Sequence, residues 1–188
     1  MIKISSIARP VLLSLATVLA AGAQSAEVHS VVADKSAVSF VFREMNVPVD
    51  GRFRKFAAQV SFDPARPELA KAAIDVDLAS IDTGSDEADG EAVGKAWFDT
   101  KSYPQAHFVS TGFKALGGNR YEVTGQISIK GRMREISAPF AFTPQRNGAA
   151  FDGSFTFKRA DFALGEGSWA DFGTVANEIQ VKFHFLCL

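Results

Sequence analysis

Arg159 and Asp161 stand two residues apart, so on an extended segment both side chains leave the same face, with Asp171 and Glu178 close behind in the chain. That group is the best place in the sequence for acid, base or anion-holding chemistry, although an ion pair tying the chain at the mouth of a barrel explains it more simply. Other chemistry is thinner. The histidines are His29, His107 and His184, with neither an HExxH nor a His-x-His string, so a zinc site would have to be assembled from distant segments. His184 and His107 alternate with apolar neighbours and are expected to face water. Asp82, Asp86, Glu87, Asp89 and Glu91 lack the ligand order of a calcium loop and read better as acids at a helix N-terminus. No Gly-x-Ser-x-Gly elbow occurs, and Gly165-Glu166-Gly167 is too short for a dinucleotide loop. The single cysteine, Cys187, has no partner for an internal disulfide and reads as a bystander.

The elements that would position these groups are strands. Seventeen phenylalanines, all from residue 40 onward, recur largely at alternate positions. Val38, Phe40, Phe42; Ile74, Val76, Leu78; Phe155, Phe157; and Val181, Phe183, Phe185 each give one apolar face and one wet face. Strands are expected over 28–32, 37–43, 52–62, 72–80, 105–113, 121–130, 135–142, 150–158 and 178–186. Asp50-Gly51, Gly117-Gly118-Asn119 and Asn147-Gly148 read as tight turns. The pattern predicts an all-β protein: an extended antiparallel barrel of about eight strands with a short helical insertion. Phe53 and Phe56 fall on opposite parities, which predicts a slip of the ladder at Arg54-Lys55. Ser85–Ala96 is the helix, with Ser85 as its cap, and Pro67–Lys71 a helical turn.

Residues 1–23 carry Lys3, Arg9, an apolar run and small residues, as a secretory signal peptide does, with cleavage after Ala23 or, second, after Ala26. The remaining chain, 27–188, forms one domain expected in the periplasm, with no transmembrane segment. Its net charge of −3, once the two leader cations are removed from the formal −1, argues against a nucleic-acid partner. An aromatic inner face closes around either a packed core or a cavity for one small apolar ligand, and alternation alone does not choose between them.

Phe40–Phe53 (FVFREMNVPVDGRF), Ser80–Asp99 (SIDTGSDEADGEAVGKAWFD), Tyr103–Thr111 (YPQAHFVST), Tyr121–Gly131 (YEVTGQISIKG) and Phe157–Leu164 (FKRADFAL), closing with Trp169-Ala170-Asp171 and Asn177-Glu178-Ile179, resemble the bacterial YceI-like family in order and over nearly the whole chain after the leader. Trp97 stands where that family usually has Phe, Ala92 or Val93 replaces a leucine, and Ala163 takes a place commonly held by glycine. The resemblance implies a lipocalin-like barrel with an apolar tunnel for a non-covalently held isoprenoid lipid, a polyisoprenoid or an isoprenoid quinone, and no catalytic site or metal. Parity then nominates Phe40, Phe42, Phe53, Phe56, Trp97, Phe98, Phe108, Phe155, Phe157 and Trp169 as its lining. The rivals are an enzyme acting on a lipid head group through Arg159, Asp161 or Asp171, and an interaction protein with a solid core that partners membrane electron-transfer proteins. Oligomeric state is open, an isologous homodimer being one arrangement available to a barrel.

Overall fold

Alternation of small or polar residues with phenylalanine, valine and isoleucine produces a single antiparallel sheet in a computed structural model that describes residues 28–188; the expected leader and its cleavage points lie outside the described residues. Its strands are β1 (Val28–Ser30), β2 (Ala37–Glu44), β3 (Val47–Phe53), β4 (Phe56–Phe62), β5 (Lys71–Asp77), β6 (Ile81–Asp82), β7 (Gln105–Gly117), β8 (Arg120–Ile129), β9 (Arg132–Gln145), β10 (Gly148–Lys158) and β11 (Glu178–Cys187). They are ordered β1-β4-β5-β7-β8-β9-β10-β11-β2-β3-β6. All nine expected spans are occupied, and β3 and the two-residue β6 are additional.

β3 and β4 sit near opposite ends of that order yet follow one another directly in the chain. The ladder breaks at Arg54-Lys55, where the predicted slip takes the form of a change of partner: Phe53 pairs with Val38 and Ile81, whereas Phe56 pairs with Val76. One bent segment thereby curls the sheet round on itself. Arg54 and Arg52 both reach Asp82 across this corner, at 3.1 and 2.8 Å, and hold its carboxyl below the usual carboxylate range. At the far end Val31 bridges Cys187, and the Val32 N–H donates to the Leu186 carbonyl, joining the end of β1 to β11.

Asp50-Gly51 is not a turn, contrary to expectation. The turn falls at Met45-Asn46, both at positive φ, and Gly51 lies inside β3 opposite Phe40. The reason for glycine is the Phe40 ring, which lies flat on it; a β-carbon there would sit within the ring. Phe108 covers Gly125 and Phe183 covers Gly153 in the same way. Rings laid along the sheet take less of the lumen than rings standing away from it, so phenylalanine and open space coexist. Gly51→Ala is expected to cost about 1–3 kcal/mol by displacing the Phe40 ring, read as a lowered urea midpoint at unchanged m-value; an unchanged midpoint would show that the ring has room to move.

The two ends of the barrel differ. At the closed end Phe62, 0% exposed, has the rings of Phe113, Tyr121, Phe140, Phe142 and Phe151 at centroid distances of 5.0–5.9 Å, a solid aromatic plug. Cys187 is fully buried beside it, and burial pushes its thiol up to about 11, in keeping with an unreactive bystander. At the other end α1 (Asp86–Ala92), shorter than the expected 85–96, is capped by Ser85, whose Oγ accepts from the Ala88 N–H. It faces the loop that runs from β10 to β11.

Candidate functional site

Above the plug the barrel encloses a cavity of about 260 Å³, running up to α1 and the β10–β11 loop. Its floor is the upper surface of the plug, Phe113, Phe140 and Phe151, and its walls are the inward faces of the long strands. Along β10 the wall runs from Phe151 to Phe157, about 20 Å of strand at roughly 3.3 Å per residue. The cavity is therefore long, narrow and blind at one end.

Nine of the ten nominated residues line it: Phe40, Phe42, Phe53, Trp97, Phe98, Phe108, Phe155, Phe157 and Trp169. Phe56 does not. It lies just beyond the break at Arg54-Lys55, and its ring packs 5.8 Å from that of Phe185 within the core. The aliphatic half of the wall, among it Ile74, Val76, Ile127, Ile129, Ile179 and Val181, carries the same alternation and was legible in it.

Polar groups in the wall are few, and three of them, Glu44, Thr83 and Glu91, belong to the elements around the mouth. The fourth, His107, turns its half-exposed imidazole outward to Asp75, with Nδ1 and Oδ1 2.6 Å apart. His184 does the same with Asp152 at 2.6 Å on the outer surface, so both histidines face water as expected. No group of three or more potential metal-ligating side chains occurs among the described residues.

Arg159 departs from its expected pairing. It opens a 3-10 turn, Arg159–Phe162, which leaves Asp161 on the surface, and no ion pair joins the two. Instead its guanidinium, 1% exposed, donates to six backbone carbonyls of the β10–β11 loop: Leu164 (2.7 Å), Gly165 (3.1 Å), Trp169 (2.7 Å), Asp171 (3.4 Å), Val175 (2.9 Å) and Ala176 (3.2 Å). Burial draws the guanidinium's pKa down, opposed by the nearby Asp171 charge. A loop without ladder partners must satisfy its carbonyls somewhere, and here a single planar fork does so. The same guanidinium stacks 5.3 Å from the centre of the Trp97 ring and 4.9 Å from that of Phe172.

The mouth is completed by tryptophans. Trp97 and Trp169 meet edge to face at 5.8 Å, and Trp169 Nε1 donates to Glu91 Oε1 at 2.8 Å. Trp97 Nε1 is the one buried side-chain polar atom without a partner among the described residues. Ala163, where the resemblance expects glycine, has φ of +53° in the left-handed region, the conformation glycine adopts most readily.

A model of the YceI-like domain matches residues 29–186, the whole of this barrel. The chain belongs to the YceI-like domain family. Among solved structures, BcnA of Burkholderia cenocepacia is 43% identical, with a TM-score of 0.83 over 85% of this chain and 100% of that one. A UPF0312 protein of Pseudomonas putida is 30% identical over 144 residues, 71% of this chain and 72% of its own. A structure described as a polyisoprenoid-binding domain from Saccharophagus degradans, 18% identical, shares the YceI-like fold with a TM-score of 0.66 over 86% of this chain and 98% of that one. No helix among the described residues is long and apolar enough to cross a membrane.

Proposed function

We propose that this YceI-like protein is a periplasmic carrier or sequestering protein for an isoprenoid lipid, a polyisoprenoid or an isoprenoid quinone, lying lengthwise in the cavity with its head group at the mouth. The observation that carries this reading is the blind, ring-lined cavity whose polar side chains gather at its entrance. Hydrocarbon burial is the available driving force: about 300 Å² at about 25 cal/mol per Å² gives several kcal/mol before ordering costs. The name given to the Saccharophagus degradans neighbour supports the same class of cargo. Periplasmic placement rests on the signal-peptide reading of residues 1–23.

The mouth favours a neutral head group over a phosphate. Its charged lining residues, Glu44 and Glu91, are acids, and the nearby Arg159 has its donors engaged by carbonyls. A quinone or phenol oxygen suits such a rim. The engagement of Arg159 also weighs against the head-group enzyme, and the cavity against the solid-core interaction protein.

Organic extraction of the purified, periplasm-expressed protein, followed by mass spectrometry, tests this. One prenylated species at close to one per chain is expected; folded protein that yields no lipid would overturn the carrier reading.

A further inference from the structure

Trp169 is held at two levels. Its backbone is pinned, since its carbonyl accepts from Arg159 Nη2 at 2.7 Å and its N–H donates to the Glu166 carbonyl at 3.3 Å. Its indole, by contrast, reaches across to α1, where its Nε1 bond to Glu91 is the one side-chain hydrogen bond between that helix and the β10–β11 loop among the described residues. Both partners line the cavity at its mouth, so the indole and the helix together span part of the entrance. The Trp169 backbone lies in a short 3-10 turn, Gly167–Trp169, beginning at a glycine with φ of +64°. The ring also meets Trp97 edge to face at 5.8 Å, so on its fixed backbone it is held by one solvent-facing hydrogen bond and one ring contact, and a side-chain rotation moves it aside.

We propose that the Trp169 indole is the gate of the cavity and that Glu91 is the latch holding it shut. This rests on the binding reading and adds to it how cargo enters and leaves: loss of the one hydrogen bond leaves the ring held only by its contact with Trp97, with the sheet, the plug and the Arg159-bound loop left in place. A gate differs from a binding contact in what it changes. Unlatching speeds entry as well as exit, whereas loss of a contact speeds exit alone.

The experiment is stopped-flow uptake and release of the fluorescent hydrocarbon diphenylhexatriene by the delipidated full barrel. Glu91→Ala is expected to accelerate both rates by about tenfold, the scale of one hydrogen bond to a charged acceptor. Trp169→Phe, which keeps a ring and removes the donor, should behave alike. Glu91→Gln retains an acceptor oxygen but not its charge, and should exchange at rates between those of wild type and Glu91→Ala. Glu91 is exposed on a short surface helix, so thermal melts of the variants should coincide with wild type, and a variant that melts early is replaced by the Trp169→Phe comparison. Unchanged rates in both Glu91→Ala and Trp169→Phe, or faster release with unaltered uptake, would overturn the gate while leaving the carrier reading intact. Wild-type protein that takes up no probe would overturn both.

Discussion

Replacing Arg159 with methionine is expected to destabilise the protein by about 4 kcal/mol, the range seen when one side of a buried charged network is removed, and to lower the melting temperature by about 10 °C for a domain of this size. Methionine keeps much of the packing against Trp97 and Phe172 but leaves six carbonyls of the β10–β11 loop without their shared donor. Each buried carbonyl so orphaned costs about 1–3 kcal/mol, a sum moderated because residues 166–168 and 170–173 are exposed and let water reach part of the loop. Arg159→Lys should recover little, because an ammonium offers three donors from one point in place of a planar fork. Denaturant melts followed by circular dichroism measure this. A Met variant within 1 kcal/mol of wild type would mean that the loop finds other partners.

On the proposed carrier reading, Phe42→Asp should strip the cavity of lipid while leaving a folded barrel. Phe42 lies on β2, only partly buried, with its ring 6.2 Å from that of Phe40 in the lining. A carboxylate there must either strip its hydration against hydrocarbon or take up a proton, and both oppose an apolar chain threading past it. Co-purified lipid, by extraction and mass spectrometry, is expected to fall more than about tenfold, a loss of at least about 1.4 kcal/mol of binding. Phe42→Leu, which keeps the wall apolar, should retain most of the cargo. Full lipid content in a folded Phe42→Asp protein would remove this residue from the site.

Strand parity made most of the wall legible. Phe40 and Phe42, and Phe155 and Phe157, point inward because successive strand residues alternate and the turns bounding those strands lie outside the runs. Phe56 also faces inward, opposite Val76, but its ring does not reach the cavity. Parity gives a side chain's face but not its depth along the barrel, and just past the change of partner at Arg54-Lys55 the Phe56 ring packs against Phe185. Gly51 misled for a related reason. Asp-Gly is a turn signal, but here the glycine serves a ring on the neighbouring strand, a relation between residues eleven positions apart in sequence. Arg159 was singled out correctly and paired wrongly, since a carboxylate two residues away is visible in a sequence and six backbone carbonyls are not. The 3-10 turn at Arg159–Phe162 then separates the two side chains that an extended segment would have kept on one face.

The aromatic plug has a further consequence. Because the tightest interlocking of rings is concentrated beneath the cavity, cooperative stability is anchored at one pole of the barrel while the rim carries the loops, the short helix and the exposed Phe172. Amide hydrogen exchange should run as a gradient along the barrel axis, slowest in β8 and β9 around Phe62 and fastest beyond Ser85 and around Gly167. Substitutions at the rim should then alter what the cavity admits while scarcely touching the fold, so that on the proposed carrier reading one scaffold can be refitted for different lipids without being rebuilt.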